Sequence, residues 1–184
     1  MTSLGLPKSD DMFADLDQDL GFECEASPEA QDFRGQLTTA QAAREYLRAG
    51  RATVTLVSKK TKARFTYRVN TPEDRDTGKP ATDGTLMVSV LTNPDNVRGY
   101  AWLGRVSRDI FWVGRKNPKP GEIRKDAPSA VAFDWTWKKL LQGELPESLE
   151  IWHEGRCGRC GRKLTVPSSV ARGFGPECAE KVGA

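Results

Sequence analysis

Histidine and cysteine are scarce in this sequence: its 184 residues contain one histidine and four cysteines. No apolar run is long enough for a transmembrane helix, and the first residues lack the basic-then-apolar order of a secretory signal. A nucleophile motif, a phosphate-binding loop and a glycine-rich dinucleotide fingerprint are also missing. These absences argue against membrane, exported and common enzyme classes, and they predict a cytoplasmic, non-enzymatic protein that binds no membrane.

The few residues that could bind a metal are concentrated in one segment. His153, Cys157, Cys160 and Cys178 form the pattern His-x3-Cys-x2-Cys-x17-Cys. One histidine and three thiols are the ligand set of a closed tetrahedral structural zinc site. We therefore predict structural Zn²⁺ as the cofactor, with these four residues as its ligands.

The residues around the cysteines fit a metal knuckle. Gly158 and Gly161 can supply the positive φ that tight turns around sulfur require. Pro176 suits a first helical turn, so Cys178 should lie on the opening turn of a short helix whose dipole favours a thiolate. Three arginines should offset the thiolate charge and lower the thiol pKa values: Arg156, Arg159 and Arg162.

Alternatives to this site come from the same residues. A Cys-x-x-Cys pair can be a redox dithiol or a disulfide, although no βαβ pattern surrounds it and a third cysteine is present. Cys24 or Glu177 could replace His153 as the fourth ligand. A catalytic zinc keeps three protein ligands and an open position, whereas the pattern here is complete.

Charge is segregated along the chain. Residues 1–36 carry a net charge of −7, so that the remainder carries +10 of the total of +3. This composition predicts a mostly disordered acidic arm. Within the arm, four apolar residues fall on one face of a nascent helix: Met12, Phe13, Leu16 and Leu20. The arm is either a solvated tail, or a motif that binds a partner or folds onto the basic body.

Residues 37–148 are predicted to form a basic α+β domain. A capping box at Thr38 begins a helix that stops at Gly50, and a second, amphipathic helix runs from Pro128 to Gln142. Five β-rich segments lie between them, at 52–58, 63–69, 85–92, 97–106 and 110–114. The predicted fold class is α+β: a small antiparallel β-domain, as a sheet or partly closed barrel, covered by helices. A C-terminal zinc-knuckle module at 149–184 and the disordered acidic N-terminal arm complete it.

The β-rich region is both basic and aromatic. Residues 51–125 contain 16 Lys/Arg and 7 Asp/Glu. Phe65 and Tyr67 share one strand face, as do Tyr100 and Trp102. Aromatic platforms between cations are typical of single-strand binding, but aromatics on one face are also typical of a core. The candidate nucleic-acid-binding residues are Lys59, Lys60, Lys62, Arg64, Arg156, Arg159, Arg162 and Lys163.

Three consecutive motifs carry a family resemblance. Cys-x-x-Cys-Gly-Arg at 157–162, Leu-Thr-x-Pro-x-Ser at 164–169 and Gly-x-Gly-Pro-x-Cys at 173–178 resemble an uncharacterised family of small phage and actinobacterial proteins with a C-terminal zinc knuckle. The resemblance implies zinc and a phage-like setting, and it implies no mechanism. The basic residues and the acidic arm lead to two hypotheses: a protein that binds DNA or RNA, or a protein-interaction module that binds a host or defence protein with the acidic arm as its anchor. A plain structural scaffold is a third possibility.

Overall fold

The computed structural model describes residues 35–74, 77–93, 99–114 and 123–183. In chain order its elements are β1 (Gly35–Gln36), α1 (Ala40–Arg48), β2 (Arg51–Ser58), β3 (Arg64–Asn70), β4 (Leu86–Leu91), β5 (Tyr100–Ser107), β6 (Ile110–Val113), α2 (Pro128–Leu141), β7 (Leu149–His153), α3 (Pro167–Arg172) and α4 (Pro176–Val182).

All seven described strands form one antiparallel sheet in the order β1-β7-β2-β3-β4-β5-β6. The order is linear, with β1 and β6 at the edges, so the sheet is open rather than a closed barrel. Strand β7 comes late in the chain, yet it lies between β1 and β2. The α+β prediction is confirmed, and the segment that leads into the predicted zinc knuckle is a strand of the sheet itself.

One face of the sheet is covered by α1 and α2 and forms the core. Strand side chains alternate between faces, and Val54, Tyr67 and Val90, which pair across β2, β3 and β4, are all fully buried on this side. Tyr67 packs on Phe133 of α2 with ring centroids 5.1 Å apart. Its hydroxyl donates a hydrogen bond to the Ser129 carbonyl at 2.7 Å. Tyr67 therefore belongs to the core rather than to a stacking surface.

The opposite face of the sheet, called the open face below, has a different composition. Thr53, Arg68, Ser89 and Trp102 pair in one row across β2, β3, β4 and β5 on this side. Tyr100 also lies on it, because the Arg68 guanidinium is 3.9 Å from the centroid of its ring. Helices α1 and α2, which contact β2, β3 and β6, lie on the other side, and α3 contacts the edge strand β1.

The helix boundaries follow from local chemistry. Helix α1 begins one residue later than predicted, because the hydroxyl of Thr39, not of Thr38, accepts the Ala42 N–H at 3.2 Å. Gly50, with φ +103°, follows the helix as expected. Helix α2 has Pro128 at its first position and ends within one residue of the predicted bound.

Candidate metal centre

The first part of the site is a knuckle that follows β7. The Cys157 N–H donates to the Arg162 carbonyl at 2.8 Å, and the Gly161 N–H donates to the Cys157 carbonyl at 2.8 Å. Gly161 has φ +74°, as predicted, whereas Gly158 has no positive φ. These bonds fold the segment back on itself, so that two thiols three positions apart in the chain lie at one turn.

The third thiol comes from the first turn of α4. Gly175 caps this helix and Pro176 is its first residue. The Cys178 N–H donates to the Gly175 carbonyl at 3.0 Å. Cys178 is therefore in the opening turn, as the sequence predicts, and α4 points its N-terminus at the knuckle.

Knuckle and helix bring three thiols into one cluster. The sulfur atoms of Cys157, Cys160 and Cys178 all lie within 4.8 Å of one another. Four thiolates at about 2.3 Å around a tetrahedral zinc would be about 3.8 Å apart, so the cluster needs only a small contraction to hold such an ion. Cys157 is buried, Cys178 is half-buried and Cys160 is exposed. The cluster can hold a metal ion at the protein surface.

The backbone prepares Cys157 to carry negative charge. Burial acts to raise its pKa, but N–H groups of Cys160, Gly175 and Arg159 point at the sulfur and leave the pKa below its ordinary value. Burial raises the pKa of Cys178, and its hydrogen bonds with the other two thiols raise it further. The Arg159 side chain acts in the opposite direction on Cys178 and lowers its pKa, as the sequence predicts for the nearby arginines, while backbone donors act on Cys157.

The structure places His153 outside the cluster. Its imidazole is buried, its Nδ1 accepts the Gly155 N–H at 3.1 Å and its Nε2 lies 2.7 Å from the Val170 carbonyl. An Nδ1 that accepts a hydrogen bond fixes the proton on Nε2, which then donates to Val170. Neither nitrogen has a lone pair for a metal in this arrangement. His153, the predicted fourth ligand, is thus not part of the thiol cluster in this structure; it joins β7 to the knuckle and to α3.

Sequence reasoning missed Tyr46 of α1, which is the centre of this region. Its hydroxyl donates to the Arg156 carbonyl at 2.8 Å, and its ring centroid lies 5.0 Å from that of His153 and 5.8 Å from that of Phe174. Burial raises its pKa well above the ordinary value. The sequence does contain a pattern that could have identified Tyr46. It follows Ala43 by three residues, which places it on the buried face of the predicted helix.

The predicted nucleic-acid-binding residues fall into two groups rather than one surface. Each residue is exposed. The hairpin group lies at the β2–β3 turn and the start of β3: Lys59, Lys60, Lys62 and Arg64. The knuckle group surrounds the thiols: Arg156, Arg159, Arg162 and Lys163. Because the Arg51 N–H donates to the Gly158 carbonyl at 2.7 Å, the groups lie at opposite ends of β2, about 23 Å apart over seven strand steps.

Two predictions concern residues outside those that the structure describes. The proposed partner-binding face lies in the arm: Met12, Phe13, Leu16 and Leu20. Cys24, considered above as an alternative fourth ligand, lies there as well. Glu177, the other alternative, is exposed on α4 and does not belong to the thiol cluster.

No helix in the described part of the chain is long and apolar enough to span a membrane. Comparison with curated proteins and with solved structures gave no match. Residues 152–183, which contain all three clustered thiols, match the model of a protein family of unknown function, DUF6011.

Proposed function

We propose that the protein holds a structural zinc ion through Cys157, Cys160 and Cys178 and that its basic surfaces bind nucleic acid. The observation that carries the metal proposal is the approach of the three sulfur atoms to within 4.8 Å of one another. Thiolates select soft or borderline ions such as Zn²⁺ over Mg²⁺ and Ca²⁺. When bound, zinc would supply a cross-link between the knuckle and α4.

A structural role suits this part of the chain because it has little core of its own. Among residues 154–183, only four apolar side chains are buried: Cys157, Leu164, Phe174 and Ala179. A small unit with so little buried surface gains its stability from a metal or from its neighbours. We propose a non-enzymatic role because the only histidine makes two backbone hydrogen bonds and is not available as a general base.

The nucleic-acid proposal is supported by the two exposed cationic groups. Phosphate contacts by Lys and Arg supply most of the sequence-independent affinity of DNA- and RNA-binding proteins. The knuckle group holds its cations on a rigid turn, while Lys59 in the hairpin group also lies 3.8 Å from Glu150. Binding would be weakly sequence-specific, in a cytoplasmic protein with reduced thiols. A phage setting and a host-protein partner remain predictions.

The zinc proposal is tested by metal analysis of the purified full chain. We expect one zinc per chain, and substitution with Co²⁺ should give the intense thiolate charge-transfer absorption of a cysteine-rich site. Cys157→Ser and Cys178→Ser should lose the metal; full zinc content in both would refute the assignment. Cys24→Ser keeps the three clustered thiols and so should still take up zinc, and its zinc affinity relative to the wild type measures whether Cys24 takes part.

The nucleic-acid proposal is tested by fluorescence anisotropy of labelled DNA and RNA at several salt concentrations. Neutralising two knuckle cations, Arg162→Gln with Lys163→Gln, should reduce the slope of log K against log salt by about 1 for each phosphate that the variant no longer neutralises. The matched control is Lys138→Gln with Lys139→Gln, which removes the same charge from α2 on the covered side of the sheet. No binding by zinc-loaded protein at low salt would refute the proposal.

A further inference from the structure

Exposed aromatic side chains are concentrated on the open face. Trp102, Ile110 and Trp112 are three of the four large apolar residues that the described structure exposes, at 40%, 55% and 55%. All three belong to β5 and β6, and strand pairing places them on the side away from α1 and α2. An apolar cluster left exposed on one face is typical of a binding surface.

Arginines are interleaved with these aromatics. Arg105 of β5 pairs directly with Trp112 of β6, and the Arg68 guanidinium lies over the Tyr100 ring, 3.9 Å from its centroid. Trp102 shares a row with Arg68 through Ser89 of β4. These five residues are called the arginine–aromatic patch: Arg68, Tyr100, Trp102, Arg105 and Trp112.

Positive charge predominates on the strands that carry the patch. Strands β2 to β6 contain four arginines and no aspartate or glutamate. Among the described residues, Glu150 of β7 and Glu154, the residue after it, are acids that approach this face. Glu150 accepts the Trp152 indole N–H at 3.0 Å, and Glu154 lies close enough to Tyr100 to raise its pKa together with burial. The half of the open face that carries the exposed tryptophans is therefore positive and complementary to phosphate.

We infer that this patch binds single-stranded nucleic acid, with bases stacked on Trp102 and Trp112 and phosphates held by Arg68 and Arg105. The inference rests on the proposed nucleic-acid binding and adds the surface and the strandedness. Stacking accepts any base because each has a π-face, while arginine neutralises the backbone. The hairpin and knuckle groups lie at opposite ends of β2, and they would hold the nucleic-acid strand where it leaves the sheet.

Single strands fit this surface better than duplexes. In a duplex the base faces are stacked on one another, so that tryptophans on a sheet cannot reach them unless the bases first unstack, at a cost in free energy. A protein that reads a duplex usually inserts a helix or a two-stranded ribbon into a groove. The patch is spread over β3, β5 and β6 of a broad sheet and offers no such projection.

The experiment compares single and double strands on zinc-loaded full-length protein. The probe is fluorescein-labelled oligothymidine of about 16 nucleotides, the upper range of what one sheet-based fold covers, alone or annealed to oligoadenosine. We expect the single strand to bind more tightly. Trp102→Ala and Trp112→Ala should each weaken its binding by roughly 5- to 100-fold, and Trp112→Phe should restore part of the loss. Both tryptophans are exposed, so these variants keep the core.

Ile110→Ala is the matched control. It removes a similarly exposed apolar side chain from the same face but no aromatic ring, so the single-strand affinity should stay within about 2-fold, as expected for a surface substitution. A second readout is tryptophan fluorescence, which the oligonucleotide should quench in the wild type and much less in the Trp102→Ala, Trp112→Ala double variant.

The outcomes separate this inference from the proposed function. Salt-dependent binding that both tryptophan variants retain, and that the Arg162→Gln, Lys163→Gln variant weakens, would overturn the patch and leave the proposed function standing. Equal affinity for duplex and single strand would overturn the single-strand assignment. Absence of binding by the wild type at low salt would overturn both.

Discussion

The ring of Tyr46 in α1 lies directly against Gly158 of the knuckle. A Cβ added to Gly158 would be 2.8 Å from Tyr46 Cδ2, which is too close for any side chain. Gly173, at the end of α3, meets the same ring, with a Cβ position 2.6 Å from Cδ2. The two glycines allow the segment that carries the thiols to close around an aromatic residue of α1.

Gly158→Ala should destabilise the protein. Because Gly158 has no positive φ, the cost comes from overpacking against Tyr46 rather than from backbone strain, and we expect about 1–3 kcal/mol. Urea unfolding of the zinc-loaded protein measures it.

Gly175→Ala is the control for that experiment. Gly175 has φ −70° and its added Cβ would meet its nearest neighbour, Leu164, at 4.0 Å, so the free energy of unfolding should change by less than about 0.5 kcal/mol. Equal losses in the two variants would show that the packing of Tyr46 on Gly158 is not the cause.

His153 should stay neutral well below its ordinary titration range. Burial lowers its pKa from 6.5, and the hydrogen bond to Val170 opposes this only in part. Since the unfolded chain takes up the proton first, the free energy of unfolding should not depend on this group above about pH 6.5 and should fall as the pH drops from there towards the folded pKa.

Because the chain has a single histidine, NMR can follow one imidazole through this titration. A midpoint below 6.5 is expected, with a neutral Nε2–H tautomer. A midpoint at or above this value, or Nε2 without its proton at neutral pH, would contradict the two backbone hydrogen bonds of His153.

Metal removal should loosen one part of the structure selectively. Chelation would leave residues 154–183 with three unbound thiols, the buried Leu164, Phe174 and Ala179, and their contacts with Tyr46 and His153. Hydrogen exchange of the Cys157, Gly161 and Cys178 amides should therefore accelerate more than about 100-fold. The exchange rates of the amides that join β3 to β4 should change far less, because the packing of these strands on α2 does not involve the thiols. Unchanged exchange throughout 154–183 would show that the metal has no structural role.

The thiol cluster could be predicted from the sequence because local chemistry determines it. Two residues between Cys157 and Cys160 fit one turn, and Pro176 places Cys178 in the first turn of a helix. The alternation of β3 likewise identified the shared face of Phe65 and Tyr67. Each of these inferences needs only neighbours in the chain.

The role of His153 could not be predicted in the same way. A histidine four residues before a cysteine pair looks like a ligand, but its strand position directs it to the core face beside Tyr46, where its Nε2–H donates a hydrogen bond to the Val170 carbonyl. Strand β1 has two residues, too few to show a period, and α3 begins in a Pro-Ser segment that is typical of a loop. Long-range packing decides these features.

The strand order has a consequence for how the protein is made. Strand β1 pairs with β7 alone, so the first described strand has no neighbour until the ribosome has released residues 149–153. Until then β2 also presents an unpaired edge, which invites association with other chains. A chain truncated before residue 149 would keep that edge permanently, and we expect it to aggregate rather than to persist as a smaller domain.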